Sequence, residues 1–164
     1  MLKKIGQRLK NERGLTLIEL LAVVVILGII AAIAIPSIGG LIDNSKKDAH
    51  VANAKQVISA AKISVTSNDA IHPADGGSTY VPLAYLEEQG YLEPVEDPDK
   101  GTGYAKGTAT VTSFTTAISG NSSYVKITND GGTFTYQVRL YGSERNIALT
   151  AENSLTRSSV IKNS

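Results

Sequence analysis

One ionisable group stands inside a long greasy stretch: Glu19, in Leu15-Thr16-Leu17-Ile18-Glu19-Leu20-Leu21. An ionised carboxylate at mid-membrane costs about 2.5–3.5 kcal/mol, less near either face, so the group calls for a partner. Gly14 lies just before the stretch, where a small residue suits an extended chain held by a protease. Cleavage between Gly14 and Leu15 would place an α-amino cation on Leu15. Within one helix that amine is poorly placed to reach a side chain four residues on. In a staggered bundle, the amine of one subunit meets Glu19 of its neighbour. A buried pair offsets much of the cost of either lone charge, and registration is the best-attested use of such groups. The chemistry of this region is therefore processing of the chain and ion pairing between copies. Glu19 reads as an assembly ruler.

Elsewhere the candidates are fewer. Glu93, Glu96, Asp97 and Asp99 form the one dense acidic patch, ending in Asp97-Pro98-Asp99-Lys100-Gly101. Oxygen-rich loops bind calcium, but Pro98 stiffens this one, Lys100 opposes a cation, and the closing glutamate of an EF-hand is missing. The expectation is a solvated charged loop and no metal. The two histidines, His50 and His72, are isolated in sequence and are expected at the surface. No G-x-S-x-G, Walker-type loop or H-E-x-x-H occurs, so no catalytic residue and no cofactor is assigned. Cysteine is absent, which excludes disulfides, thiol nucleophiles and thiolate metal sites. Asn121-Ser122-Ser123 is a sequon, a weak signal by itself. The tyrosines read as the amphipathic edge of a core.

The elements that must position Glu19 follow from the charge pattern. The 164 residues carry a net charge of +1, but unevenly. Residues 1–14 hold five basic groups against Glu12, whereas residues 15–164 hold 11 basic and 14 acidic groups. Leu20–Ile42 is uncharged, and its 23 residues span roughly 35 Å as a helix, enough to cross a hydrocarbon core of about 30 Å. The positive-inside rule keeps the N-terminus cytoplasmic and the bulk of the chain outside. A secretory signal cut at Ala32-Ile33-Ala34 or a plain membrane anchor would share these features. Neither explains Glu19 or its distance from Gly14. Gly28 and Pro36 interrupt the apolar run, and Pro36 removes one helical hydrogen bond.

The string Arg13-Gly14-Leu15-Thr16-Leu17-Ile18-Glu19-Leu20-Leu21 resembles the amino terminus of type IV prepilins and pseudopilins. The resemblance covers about residues 8–42. It implies that a prepilin peptidase cuts after Gly14 and that the new first residue, Leu15, is N-methylated, although most members carry Phe there. It further implies that Glu19 and Thr16 serve subunit assembly, and that the helix between Gly28 and Pro36 loosens in a filament. Many members close an outer loop with a disulfide, which this chain cannot form.

Beyond the apolar run, Val51, Ala54, Ile58, Ala61 and Val65 recur at helical spacing, with Lys55, Ser59, Lys62 and Thr66 opposite. Residues 82–90 read as a short helix, and residues 93–107 as turns. Strands are expected at Thr108–Ala117, Ser123–Thr128 and Thr133–Tyr141, with a short fourth at Asn146–Thr150. Asn129-Asp130-Gly131-Gly132 forms a hairpin turn. The organisation expected is leader 1–14, assembly helix 15–40, its amphipathic outer half 41–67, connection 68–107, sheet 108–153 and a polar tail 154–164. The fold class is α+β, a long helix on a three- to four-stranded antiparallel sheet, pilin-like.

The function expected is non-enzymatic: a subunit stored in the membrane, processed by prepilin peptidase, and polymerised by an assembly platform into a homo-oligomeric surface filament. A pseudopilin of a secretion or DNA-uptake machine and a monomeric membrane-anchored binding domain remain open alternatives. Residues 15–164 carry a net −3, and Lys46, Lys47, Lys55 and Lys62 lie on the helix, so the outer domain is not expected to bind nucleic acid. N-terminal sequencing of the membrane-extracted protein should read Leu-Thr-Leu-Ile-Glu; a start at Ile35 would establish the secretory signal instead.

Overall fold

The computed structural model describes residues 16–163; Gly14 and Leu15, the expected cleavage and methylation positions, lie outside them. A single helix, α1, runs from Leu17 to Ser67 and continues through Pro36. The chain divides into two compact units at Ile42/Asp43. In the first unit, every large apolar side chain from Leu17 to Ile42 is at least 50% exposed. The helix is long and apolar enough to cross a membrane. A helix apolar on all sides needs lipid or other helices around it.

The second unit is built on the other half of α1. His50, Ala54, Val57, Ile58, Ala60, Ala61, Ser64 and Val65 are buried, which extends the expected stripe by neighbours at i+3 and i+4. Five antiparallel strands follow in the order β1 (Ser78–Pro82), β2 (Tyr124–Asp130), β3 (Thr133–Tyr141), β4 (Arg145–Ala151) and β5 (Val160–Lys162). A short helix α2, Leu83–Glu88, follows β1 directly. Between β2 and β3 the two-residue loop Gly131-Gly132 has positive φ at both positions (58° and 84°), as a primed hairpin turn requires. Register places Val81 opposite Val125, Val125 opposite Val138, and Leu140 opposite Ile147. Those side chains share one face and join the helix stripe in a single hydrophobic core.

Two expectations change. Thr108–Ala117 is not a strand. Its large apolar residues, Val111 and Phe114, stand three apart, not two, so they do not share one alternating face. One backbone bond ties it to β1, from Tyr80 N–H to the Phe114 carbonyl (2.7 Å), and Phe114 is buried edge-on to Tyr85 at 5.0 Å. The place beside β2 belongs instead to Ser78–Pro82. Residues 154–164, expected as a polar tail, supply a 3-10 turn (Arg157–Ser159) and β5, with Leu155 and Val160 buried.

Lys62 is also less free than its position opposite the stripe suggested. Its ammonium meets Glu152 at 2.6 Å and lies 5.2 Å from the centre of the Tyr136 ring. Burying one unpaired carboxylate at Ile58, which is fully enclosed, costs several kcal/mol. In a fragment spanning Asp43–Ser164, Ile58→Asp should abolish the cooperative thermal transition. Lys55→Asp, at an exposed site, should leave it within about 0.5 kcal/mol, and Lys62→Asp should fall between. Equal tolerance of all three, measured by circular dichroism melting, would show that α1 does not pack on the sheet.

Candidate functional site

The residues expected to serve assembly form a local structure of their own. Thr16 precedes the first turn of α1, and its backbone N–H and hydroxyl both donate to Glu19 Oε2, at 2.8 and 2.6 Å. The Glu19 N–H returns to Thr16 Oγ1 at 3.3 Å. This reciprocal pair is a capping box, and Thr16-Leu17-Ile18-Glu19 is its sequence signature. It starts the helix and gives the carboxylate two donors from its own chain. Gly28 has open space around it, and Pro36 lies within α1.

The histidine expected at the surface is instead the centre of a buried polar cluster. His50 occupies the inward face of α1, four residues before Ala54, and is fully enclosed. Its Nε2 meets Asp99 Oδ2 at 3.1 Å and Asp97 Oδ1 at 3.6 Å, while Nδ1 meets the Tyr104 hydroxyl at 2.6 Å. Asn53 Nδ2 donates to the same hydroxyl (3.2 Å). His72 is exposed, edge-on to Phe134 at 4.9 Å, as a surface histidine should be.

The acidic loop is likewise not solvated throughout. Glu93 and Glu96 are exposed, but Asp97 and Asp99 are buried. Asp97 Oδ2 accepts from the Ser143 N–H (2.7 Å) and hydroxyl (2.9 Å), and its Oδ1 accepts from the Asp99 N–H (2.9 Å). Asp99 Oδ1 takes Arg145 Nη1 and Lys46 Nζ, the latter at 3.2 Å. Arg145 also reaches back to Asp43 on α1 (2.5 Å), which in turn pairs with Lys47 at 2.8 Å. Two glycines make room. A Cβ on Gly142 would stand 2.8 Å from Asp97 Oδ2, and one on Gly101 would stand 2.5 Å from Ser143 Cβ. Gly101 also has φ +47°.

Ligand atoms of His50, Asp97 and Asp99 lie within 4.8 Å of one another, a spacing that suits a metal. The chemistry of the site does not. Both Asp99 oxygens already serve Arg145, Lys46 and His50, and a divalent ion would be repelled by two fixed cations. The cluster is a staple, tying the 97–104 turns to α1 and β4 in a chain that has no cysteine.

Residues 9–35 match the prokaryotic N-terminal methylation motif. The chain carries the signature of type IV pilins and pseudopilins. The matched stretch includes Gly14, Leu15, Thr16, Glu19 and Gly28 and stops one residue before Pro36. It covers the first part of α1 and none of the outer domain. Neither the curated proteins nor the solved structures yield a match to this chain. The methylation motif marks the N-terminus for prepilin peptidase, and the apolar half of α1 fits membrane anchoring.

Burial alone would raise the Asp99 carboxyl, but hydrogen bonds from Arg145, His50 and Lys46 outweigh it and hold it below the ordinary aspartate value of 3.8. Arg145 would be lowered by burial, and Asp99 and Asp43 turn that into a net rise. Burial pushes the Tyr104 phenol far up; the Asn53 bond opposes this, and the charges of Asp97 and Asp99 add to it. A carboxyl lowered on folding stabilises the fold above its unfolded value, and that contribution is lost as pH falls through the folded value. The contribution of Asp99 to thermal stability should therefore be constant above its ordinary value of 3.8 and be lost progressively below it. Asp99→Asn should cost roughly 3–5 kcal/mol at pH 7, since it leaves Arg145 without its buried partner. The gap between variant and wild type should narrow in acid; a gap constant from pH 7 to pH 3 would show that the Asp99 charge is not used.

Proposed function

We propose that this chain is a non-enzymatic structural subunit, type IV pilin-like, which polymerises through α1 into an extracellular filament after its leader is removed between Gly14 and Leu15. The observation that carries the reading is Glu19 in register with Gly14, inside a helix otherwise apolar around its whole circumference and within the methylation motif. A helix of that kind has two stable surroundings, lipid and its own copies. Assembly exchanges the first for the second, extracting the subunit from the membrane as helix packs on helix. N-methylation of Leu15 keeps a cation at the mature N-terminus.

The capping box refines the role of Glu19. In the lone subunit the carboxylate is held by Thr16, which lowers the cost of keeping it at the membrane edge. In a filament the same carboxylate faces the Leu15 amine of the next subunit and fixes the axial step, with Thr16 keeping the side chain in place. Gly28 and Pro36 then give the packed helices a stretch that can lose helicity under load.

Two substitutions separate capping from pairing. Glutamine at the third helical position still serves a capping box, but it carries no charge. Glu19→Gln and Glu19→Ala should both be inserted and cleaved normally, and both should yield no surface filaments by electron microscopy. Wild-type filament yield from Glu19→Gln would mean that the role of Glu19 ends at the helix cap.

A further inference from the structure

We infer that residues 43–50, the first two turns of α1 in the outer unit, form a strap held down mainly by polar contacts, able to release as a unit while the apolar core from Val51 onward stays closed. The first apolar side chains of this part of α1 to join the core are Val51 and Ala54. Before them, Asp43 pairs with Arg145, Lys46 with Asp99, Asp48 with Arg157, and His50 with Asp99 and Tyr104. From Val51 to Val65 the helix is fixed by buried apolar area. From Asp43 to His50 it is fixed by charge.

Such a joint separates cleanly because each side keeps its own partners. On the domain side, Arg145 remains on Asp99, and Asp97 remains on Ser143. On the strap side, Asp43 keeps its i,i+4 pair with Lys47, and Lys46 and His50 pass into water. The backbone hydrogen bonds of the strap run within α1, so its departure requires only a bend near Val51 that loosens the few bonds crossing that point. Asp99 Oδ2, the Tyr104 hydroxyl and Asp97 Oδ1 lose His50 but are opened to water by the same movement, so no charge is left both buried and unpaired, the penalty that normally keeps such networks closed. Release would free roughly 12 Å of helix from the outer domain, at about 1.5 Å per residue. This lets α1 move at its exit from the domain while the sheet and core stay intact. The strap does not depend on the filament reading, and its test is made on the unassembled chain.

The absence of cysteine makes spin labelling direct. The full chain in detergent micelles would carry labels at Ser45→Cys and Ile161→Cys, both exposed positions, for pulsed dipolar distance measurement. The wild-type pair should give one narrow distance. Asp43→Asn/Lys46→Met should add a second population at least about 5 Å longer, one helical pitch, and adding His50→Gln should enlarge it. A control pair, Ser59→Cys and Leu149→Cys, should stay unchanged in all three proteins. An unaltered Ser45–Ile161 distance in both variants would overturn the strap, and so would equal broadening at the control pair, which would mean that the core opens with it.

Discussion

One continuous helix has to satisfy two surroundings, and the rest of the molecule follows from that constraint. From Leu17 to Ile42, α1 exposes apolar side chains on every side, an arrangement that water does not tolerate. From Asp43 onward the same helix has one inward face and one outward face, and a five-stranded sheet covers the inward one. The change falls at Asp43, the first acidic residue after Glu19. Both acidic residues do structural work at an end: Glu19 caps the beginning of α1, and Asp43 anchors the start of its outer half through Arg145.

The outer domain answers the absence of disulfides with a polar staple. Its turns between α2 and β2 hold little regular structure and would be loose without a tether. Asp97 and Asp99 pull them inward against His50, Ser143 and Arg145. Desolvating four ionisable groups carries a large cost, and the network is tolerable because nearly every oxygen finds a donor. A hydrophobic patch of similar volume would hold the loop as firmly. It would not allow charged and uncharged attachments to lie side by side on one helix, which is what separates the strap from the core-bound stretch.

Much of this was legible from residue order. The membrane helix, the Gly14–Glu19 register, the helix stripe and the Gly131-Gly132 hairpin all follow from periods and turn chemistry. The cluster was not legible, because its members come from three elements far apart in sequence. Two signals pointed toward it. His50 stands four residues before Ala54, on the apolar stripe itself, and Arg145 stands two before Ile147, on the inward face of its strand. The capping box was also open to reading, as Thr-x-x-Glu at Thr16–Glu19. Thr108–Ala117 misled because β-prone residue types were present without the period-two pattern that a strand needs.

The methylation motif, the apolar helix and the placement of Glu19 are the observations that support the proposal of a subunit that packs against copies of itself. That claim is tested most directly by chemical cross-linking on intact cells that carry the assembly machinery, followed by immunoblotting for this chain. A filament subunit gives a ladder at multiples of the cleaved chain's mass, and the ladder disappears when the assembly platform is deleted. A single band at the monomer mass, unchanged by that deletion, would contradict polymerisation and leave a membrane-anchored external domain in its place.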